Sequence, residues 1–498
     1  MVIPGNSQIN WWSILLMLWL PAFEQTQAQS YDLVITGGRV IDPETGLDAI
    51  KNVGITGNRI AAISSESLSG EKVINASGLV VAPGFIDLHV HGRGNQEQEY
   101  QLHDGVTTAL ELEWGISWLS EWYETRRSKA LINYGASVCW PFERFRAIES
   151  YQSASDQLRE VTIEGNSGIE VLFNTIDSSY SQQLTPGEIE NMLRNIKGSL
   201  ADGGIGIGVP IGYLPNTLPE EMYKVYQLAG ELNTLVFSHV RGPDIISIQE
   251  VISNAALTEA PLHIVHINSM ALGQIRLALD MVKTARSKGI DVTTELYPYT
   301  AGSTVLPSAV FNPGWQQKLG MSYQDLQWVE TGERLTQETF DSYKEVGGVV
   351  IMHMMKPEWI KTGISEPQVI IASDGMPFSP LAHPRTAGTF SRVLGKYVRE
   401  EQVLNLADAI KKMTLLPARR LEGSAPMMRF KGRLQVGADA DITVFDPEQI
   451  IDQANFETGL AFSKGVEYVL VAGVLVLNKG NTVPNVFPGQ PVYGKFKN

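Results

Sequence analysis

Two histidines, His89 and His91, close the apolar run Pro83-Gly84-Phe85-Ile86-Asp87-Leu88-His89-Val90-His91. Strand side chains alternate between faces, so both imidazoles share one side while Leu88 and Val90 take the other. Asp87 has the same parity and lies one layer deeper. Two imidazoles converging at a strand end are a ready pair of nitrogen ligands for a divalent transition metal. The competing reading is a pair of packed core histidines, and the rest of the chain decides between the two.

Such a pair needs a rigid frame. Strand-like stretches at 84–91, 105–113, 132–138, 203–209, 234–240, 262–268, 291–297 and 368–374 alternate with helical ones such as Pro186 to Leu200, Leu218 to Leu232, Asp244 to Asn254 and Leu272 to Ser287. Eight strand–helix units predict an α/β fold, a (β/α)8 TIM-type barrel, whose active site is built at the C-terminal strand ends. On that frame His89 and His91 end the first strand, and Glu111 and Glu113 the second. His239 and Arg241 end the fifth, His266 and Asn268 the sixth, Tyr297 the seventh and Asp374 the eighth. The stretch 305–346 is long for one connection and predicts a local excursion or lid. His103, His263 and His353 read as structural, and the single cysteine, Cys139, as a buried small residue.

Both ends of the chain differ from this middle. Short turn-bounded strands fill 31–82, and Gly437 to Pro447 and Val466 to Leu477 have the same texture, which predicts one small β-domain assembled from both termini. A length of 498 residues accommodates a large domain and a small one. The expected division is an export signal at 1–28, the two parts of the β-domain at 29–82 and 426–498, and the barrel at 83–425. The signal rests on the apolar run Trp11 to Phe23 followed by Thr26-Gln27-Ala28, although no Lys or Arg precedes it. Export to the periplasm or medium is therefore expected, with no stable membrane partner. A net charge of −15 argues against nucleic acid as a partner, because phosphate backbones demand basic patches. Oligomeric state is not legible.

Ordered motifs carry a resemblance. They run from Gly84-Phe85-Ile86-Asp87-Leu88-His89-Val90-His91 and Gly105-Val106-Thr107-Thr108 through Gly212-Tyr213-Leu214-Pro215 and Leu296-Tyr297-Pro298-Tyr299. They continue with Ser373-Asp374-Gly375-Met376-Pro377, His383-Pro384-Arg385 and the closing Gly437-Ala438-Asp439-Ala440-Asp441. With these the chain resembles the amidohydrolase superfamily, and within it the D-aminoacylase (N-acyl-D-amino-acid deacylase) group. The resemblance implies that His239 and His266 are metal ligands beside His89 and His91, and that Asp374 is the catalytic carboxylate. It further implies that Arg385 holds a substrate carboxylate, with Tyr213, Tyr297 and Ser303 as hydroxyl donors.

The chain departs from the group twice. Where relatives place a metal-bridging cysteine, it reads Glu111-Leu112-Glu113-Trp114-Gly115. A carboxylate can bridge two ions in its place. Glu113, nearer the strand end, is preferred over Glu111. Asn268 stands where the group often has a lysine, and Arg241 is expected to replace that cation. Imidazole and carboxylate ligands suit zinc, one ion or two. The expected function is metal-dependent hydrolysis of N-acyl D-amino acids or related D-residue dipeptides, with a small acyl amino acid as the partner. Alternatives are a cyclic amidase of the hydantoinase or dihydroorotase kind, against which no lysine stands in Gly203 to Gly208, and an inactive acyl-amino-acid-binding protein.

Overall fold

The computed structural model describes residues 30–164 and 182–497, so the signal expected at 1–28 lies outside the described residues. Eight parallel strands pair in chain order: Phe85–Asp87, Val106–Ile116, Asn133–Cys139, Gly206–Pro210, Leu235–His239, Leu262–Ile264, Val292–Leu296 and Ile370–Ile371. Nearly every strand residue is buried, as both faces of a parallel sheet must be when helices cover it. The helix Pro186–Ala201 shows how the sequence sets its bounds. Thr185 accepts from the Glu188 N–H, Glu188 accepts from the Thr185 N–H, and Pro186 opens the first turn.

The ring closes between the first and eighth strands. Asp87 Oδ1 accepts from the N–H of Ser373 at 3.0 Å and of His89 at 3.2 Å, Ser373 Oγ donates to the His89 carbonyl, and Val90 bridges Gly375. The deeper carboxylate beneath the histidine pair is thus the clasp of the barrel. Gly84 permits the close approach of the first two strands, because a Cβ there would lie 2.1 Å from Thr107 Oγ1.

The sixth strand is shorter than its apolar run suggests. It ends at Ile264, and the backbone turns at His266 with φ of 29° into the short helix Ile267–Ala271. Strand alternation therefore does not run through 262–268, and His263 points into the barrel, toward Glu295. Arg385 opens the helix Arg385–Arg392. The excursion expected at 305–346 is a three-stranded antiparallel sheet of Gly302–Val305, Leu326–Trp328 and Val349–Met352. It carries its own core of Leu306, Phe311, Trp315, Leu326 and Phe340.

The second unit is a nine-stranded sheet in which the N-terminal strand Val80–Pro83 pairs antiparallel with the C-terminal strand Ile442–Phe445. The first of the short strands expected in 31–82 is a long one, Ser30–Asp42, with a bulge between Ile35 and Gly38. The final residues leave this sheet for the barrel. Gln490 and Val492 hydrogen-bond Tyr134, and Gly494 donates to the Gly203 carbonyl. The seam between the units holds a buried ion network. Lys431 Nζ lies 2.6 Å from Asp441 and 2.9 Å from Asp439, and Asp441 also accepts from Asn133 of the third barrel strand. Burial alone would lower the Lys431 pKa, but the two carboxylates outweigh it and raise it. Lys431→Met leaves the buried Asp441 without its cation and Asp439 with Arg59 alone, and is expected to cost about 3–5 kcal/mol. The midpoint of denaturant unfolding measures this loss, and an unchanged midpoint would contradict the network's role.

Candidate metal centre and active site

Glu113 ends deep in the barrel mouth, and its two carboxylate oxygens divide four imidazoles between them. Oε2 lies 3.1 Å from Nε2 of both His89 and His91, while Oε1 lies 2.6 Å from His239 Nδ1 and 3.2 Å from His266 Nε2. Asp374 Oδ1 completes the first group at 3.5 Å from His89 and 3.3 Å from His91. All six side chains are buried. Burial alone would raise the Glu113 carboxyl, but His89 and His239 outweigh it and hold it well below the usual carboxylate range.

This donor set fits divalent ions. Ligand atoms sharing one tetrahedral ion at about 2.05 Å lie about 3.3 Å apart, which matches most of these separations. His89, His91 and Asp374 form one such group, and His89, Glu113 and His266 another. A carboxylate with one oxygen on each pair is the shape of a bridge between two positions. Glu111 sits outside that bridge. Its Oε2 meets only the outer His91 nitrogen, Nδ1, at 3.2 Å.

Asp374 also reaches the substrate side. Its Oδ2 lies 2.9 Å from Arg385 Nη1, so one carboxylate spans the imidazole group and a buried guanidinium. Burial would raise the Asp374 pKa, but Arg385 and then His89 outweigh it and hold the group well below the carboxylate range. Arg385 lies over the Tyr297 ring at 4.6 Å, and its buried Nε has no hydrogen-bond partner among the described residues. Asp374 has φ of 54°, and His266 is likewise at positive φ. Such backbone is costly for non-glycine residues and is held only where the surroundings impose it.

The cleft above this floor spans about 850 Å³, part of it open to solvent. Tyr213, Tyr297 and Ser303 line it, with Tyr213 Oη 3.0 Å from Thr304 Oγ1 and Ser303 Oγ donating to the Val350 carbonyl. Arg241 also lines the cleft, but its guanidinium is already engaged. It pairs with both oxygens of Glu250 at 3.0 and 2.8 Å and donates to the carbonyls of Pro215 and Thr217. The substrate contact expected of Arg241 therefore gives way to a loop-holding role. Asn268 is buried and donates to the Tyr297 carbonyl instead of lining the cleft.

Several residues of the site escaped the sequence reading. Glu295 lies 2.6 Å behind His89, and Ser269 lies 3.1 Å behind His266. The parity that Glu295 shares with Tyr297 was a usable signal; Ser269 had none, because it follows the bend at His266. Val305, Val310, Leu319, Met352 and Met354 from the excursion make an apolar wall, with exposed Lys318 at its rim.

Exchange of the bridging group separates the two glutamates. Glu113→Gln is expected to reduce the bound zinc, counted by elemental analysis after gel filtration. Glu111→Gln keeps the full count at saturating zinc. Wild-type zinc in Glu113→Gln would remove Glu113 from the ligand set.

Comparison with known proteins agrees with this geometry. The profile described as "Amidohydrolase family" matches residues 251–477. The chain is 30% identical over 479 residues to D-aminoacylase of Alcaligenes xylosoxydans xylosoxydans, covering 91% of this chain and 96% of that protein. It is also 30% identical over 493 residues to N-acyl-D-glutamate deacylase of the same organism, covering 93% and 96%. Among solved structures it resembles N-acyl-D-glutamate deacylase from Bordetella bronchiseptica, complexed with zinc and a phosphonate inhibitor. The TM-score is 0.78 at 24% identity, covering 93% of this chain and 100% of that one. Identity sustained over nine-tenths of the chain, on the fold and floor described, means that it belongs to the amidohydrolase superfamily and, within it, to the D-aminoacylase group.

Proposed function

We propose that the protein is a zinc-dependent hydrolase that removes the acyl group from N-acyl D-amino acids. The observation that carries this reading is the placement of Asp374, with one oxygen toward the imidazole group and the other on Arg385. When bound, zinc supplies a Lewis acid and lowers the pKa of a water ligand to about 7.

The chain's own groups do the rest. Asp374, ionised, takes the proton of the attacking water as its oxygen adds to the amide carbonyl carbon. When the carbon–nitrogen bond breaks, Asp374 delivers that proton to the leaving nitrogen, so the carboxylate is restored and a carboxylic acid and an amine result. Arg385, whose guanidinium lines the cleft, is offered to the substrate carboxylate, with Tyr213 and Tyr297 as neighbouring donors and Ser303 lining the same cleft. The buried floor excludes bulk water from these contacts, which strengthens each of them. The fourth barrel strand, Gly206-Ile207-Gly208-Val209-Pro210, carries no lysine, which disfavours a cyclic amidase built on a modified lysine. Relatives bearing both D-aminoacylase and N-acyl-D-glutamate deacylase names support the D-configured acyl amino acid as the substrate class.

Amine release from a panel of N-acetyl D- and L-amino acids, D-dipeptides and hydantoins tests this. Turnover is expected on D-acyl substrates, and turnover confined to L-substrates or rings would refute the assignment. Asp374→Ala is expected to lower kcat by about 10²–10⁴-fold. Arg385→Lys is expected to lower kcat/KM by roughly tenfold to a hundredfold, mainly through KM. A KM unmoved in Arg385→Lys would place the substrate carboxylate elsewhere.

Export is inferred from the apolar run Trp11 to Phe23. N-terminal sequencing of the protein recovered from its native host is expected to begin just after Ala28. An intact Met1 in the cytosolic fraction would refute it.

A further inference from the structure

Arg385 is the first residue of its helix, so its backbone N–H has no partner within that helix. His383 supplies one. Its Nδ1 accepts from the Arg385 N–H at 3.1 Å, and its Nε2 lies 2.9 Å from the Ala301 carbonyl. Pro384 between them carries no N–H to compete for the ring, and its φ is fixed at −60°.

The hydrogen-bond inventory admits one state of this imidazole. A carbonyl oxygen only accepts, so Nε2 carries the hydrogen; an amide N–H only donates, so Nδ1 carries the lone pair. The other neutral tautomer would oppose N–H to N–H and a lone pair to a carbonyl oxygen. A doubly protonated ring would lose the bond from Arg385. Burial, and then the Arg385 guanidinium, hold His383 well below the ordinary imidazole range, in the neutral form that these bonds require. The ring is fully buried and walled in edge-on by Tyr299, Phe456 and Tyr297, at 5.5, 5.1 and 6.3 Å between centroids.

Both ends of Arg385 thereby return to one short stretch. Through His383 its backbone is tied to Ala301, and its Nη2 lies 3.4 Å from the carbonyl of Ser303, in the first strand of the three-stranded excursion. Its Nη1 meets Asp374 Oδ2 at 2.9 Å. Where the guanidinium arrives in the cleft depends on where the backbone starts, and the His383 ring holds that start.

We propose that His383 is the positioning residue for Arg385: as a neutral ring with its hydrogen on Nε2, it fixes the start of the helix so that the guanidinium meets the substrate carboxylate, and it ties carboxylate binding to the stretch Ala301 to Ser303. This rests on the hydrolase reading above, and the test separates the two. Steady-state kinetics are measured on the N-acetyl D-amino acid that wild type turns over fastest. His383→Phe, which keeps a ring and loses both bonds, is expected to raise KM by about tenfold with a smaller change in kcat. His383→Asn, whose Oδ1 stands where Nδ1 stood, is expected to stay within about threefold of wild type. Added to Arg385→Lys, His383→Phe is expected to raise KM little further, because both changes act through one group. A general loosening of the site would multiply with it instead.

A KM unmoved in His383→Phe, an Asn variant as impaired as the Phe variant, or effects that multiply in the double variant would overturn the proposal while leaving the hydrolase reading intact. Should His383→Phe fail to give the wild-type circular dichroism spectrum, His383→Gln takes its place. Its amide reaches toward Ala301 but offers the Arg385 N–H no acceptor at the Nδ1 position, and the same rise in KM is expected. Wild type that turns over no N-acyl D-amino acid would overturn the hydrolase reading. The ring is then decided by nitrogen NMR of protein labelled at histidine, with His383 assigned by its loss in the folded variant. Hydrogen on Nε2 and a bare Nδ1 are expected, and hydrogen on Nδ1 would overturn the proposal as well.

Discussion

A carboxylate buried among four imidazoles is the constraint on which this structure turns. Glu113 is cut off from water, and an isolated ionised carboxylate in such a place is far too costly to persist. It is tolerated because each oxygen faces two ring nitrogens, and because those rings come from three places: the end of the first barrel strand, the fifth strand and the bend after the sixth. The barrel must therefore bring its first, second, fifth and sixth strands into register before the charge is compensated. In turn, every group around Glu113 inherits a fixed place. Asp374 is held between the histidines and Arg385, and Arg385 lies over Tyr297.

Holding that register has a local cost in backbone conformation. His266 and Asp374 both occupy the left-handed region, each at the point where a strand gives way to its loop. The clasp from Asp87 to Ser373 restrains the residue before Asp374 directly, and the short helix Ile267–Ala271 restrains the residue after His266. Rigid supports beneath strained ligand-bearing residues are what a preorganised site requires.

The legibility of the site in the sequence followed the same division. Residues on regular strands or just past their ends were readable from period and position: Glu113 and His239 lie on strands, and His89 and His91 follow the first strand Phe85–Asp87. The choice of Glu113 over Glu111 came from one step of strand rise. What escaped was set by tertiary geometry. No pattern announces that the sixth strand stops at Ile264, so nothing in the sequence shows that His263 faces Glu295 beneath the site. Arg241 has the position of a cleft residue, but the bidentate pairing with Glu250 depends on how the next helix docks. The apolar wall from 302–352 was visible only as an overlong connection, because its strands pair with one another and not with the barrel.

The seam of the nine-stranded sheet bears on how the chain reaches this state. Val80–Pro83 has its antiparallel neighbour at Ile442–Phe445, and the third barrel strand takes hydrogen bonds from Gln490 and Val492. Synthesis proceeds from the N-terminus, so the first sheet strands and the early barrel strands wait for partners made hundreds of residues later. Until then they present unpaired edges, the kind of surface on which nascent chains associate wrongly. The chain thus depends on a late-arriving clamp, and its period of greatest exposure is its own translation.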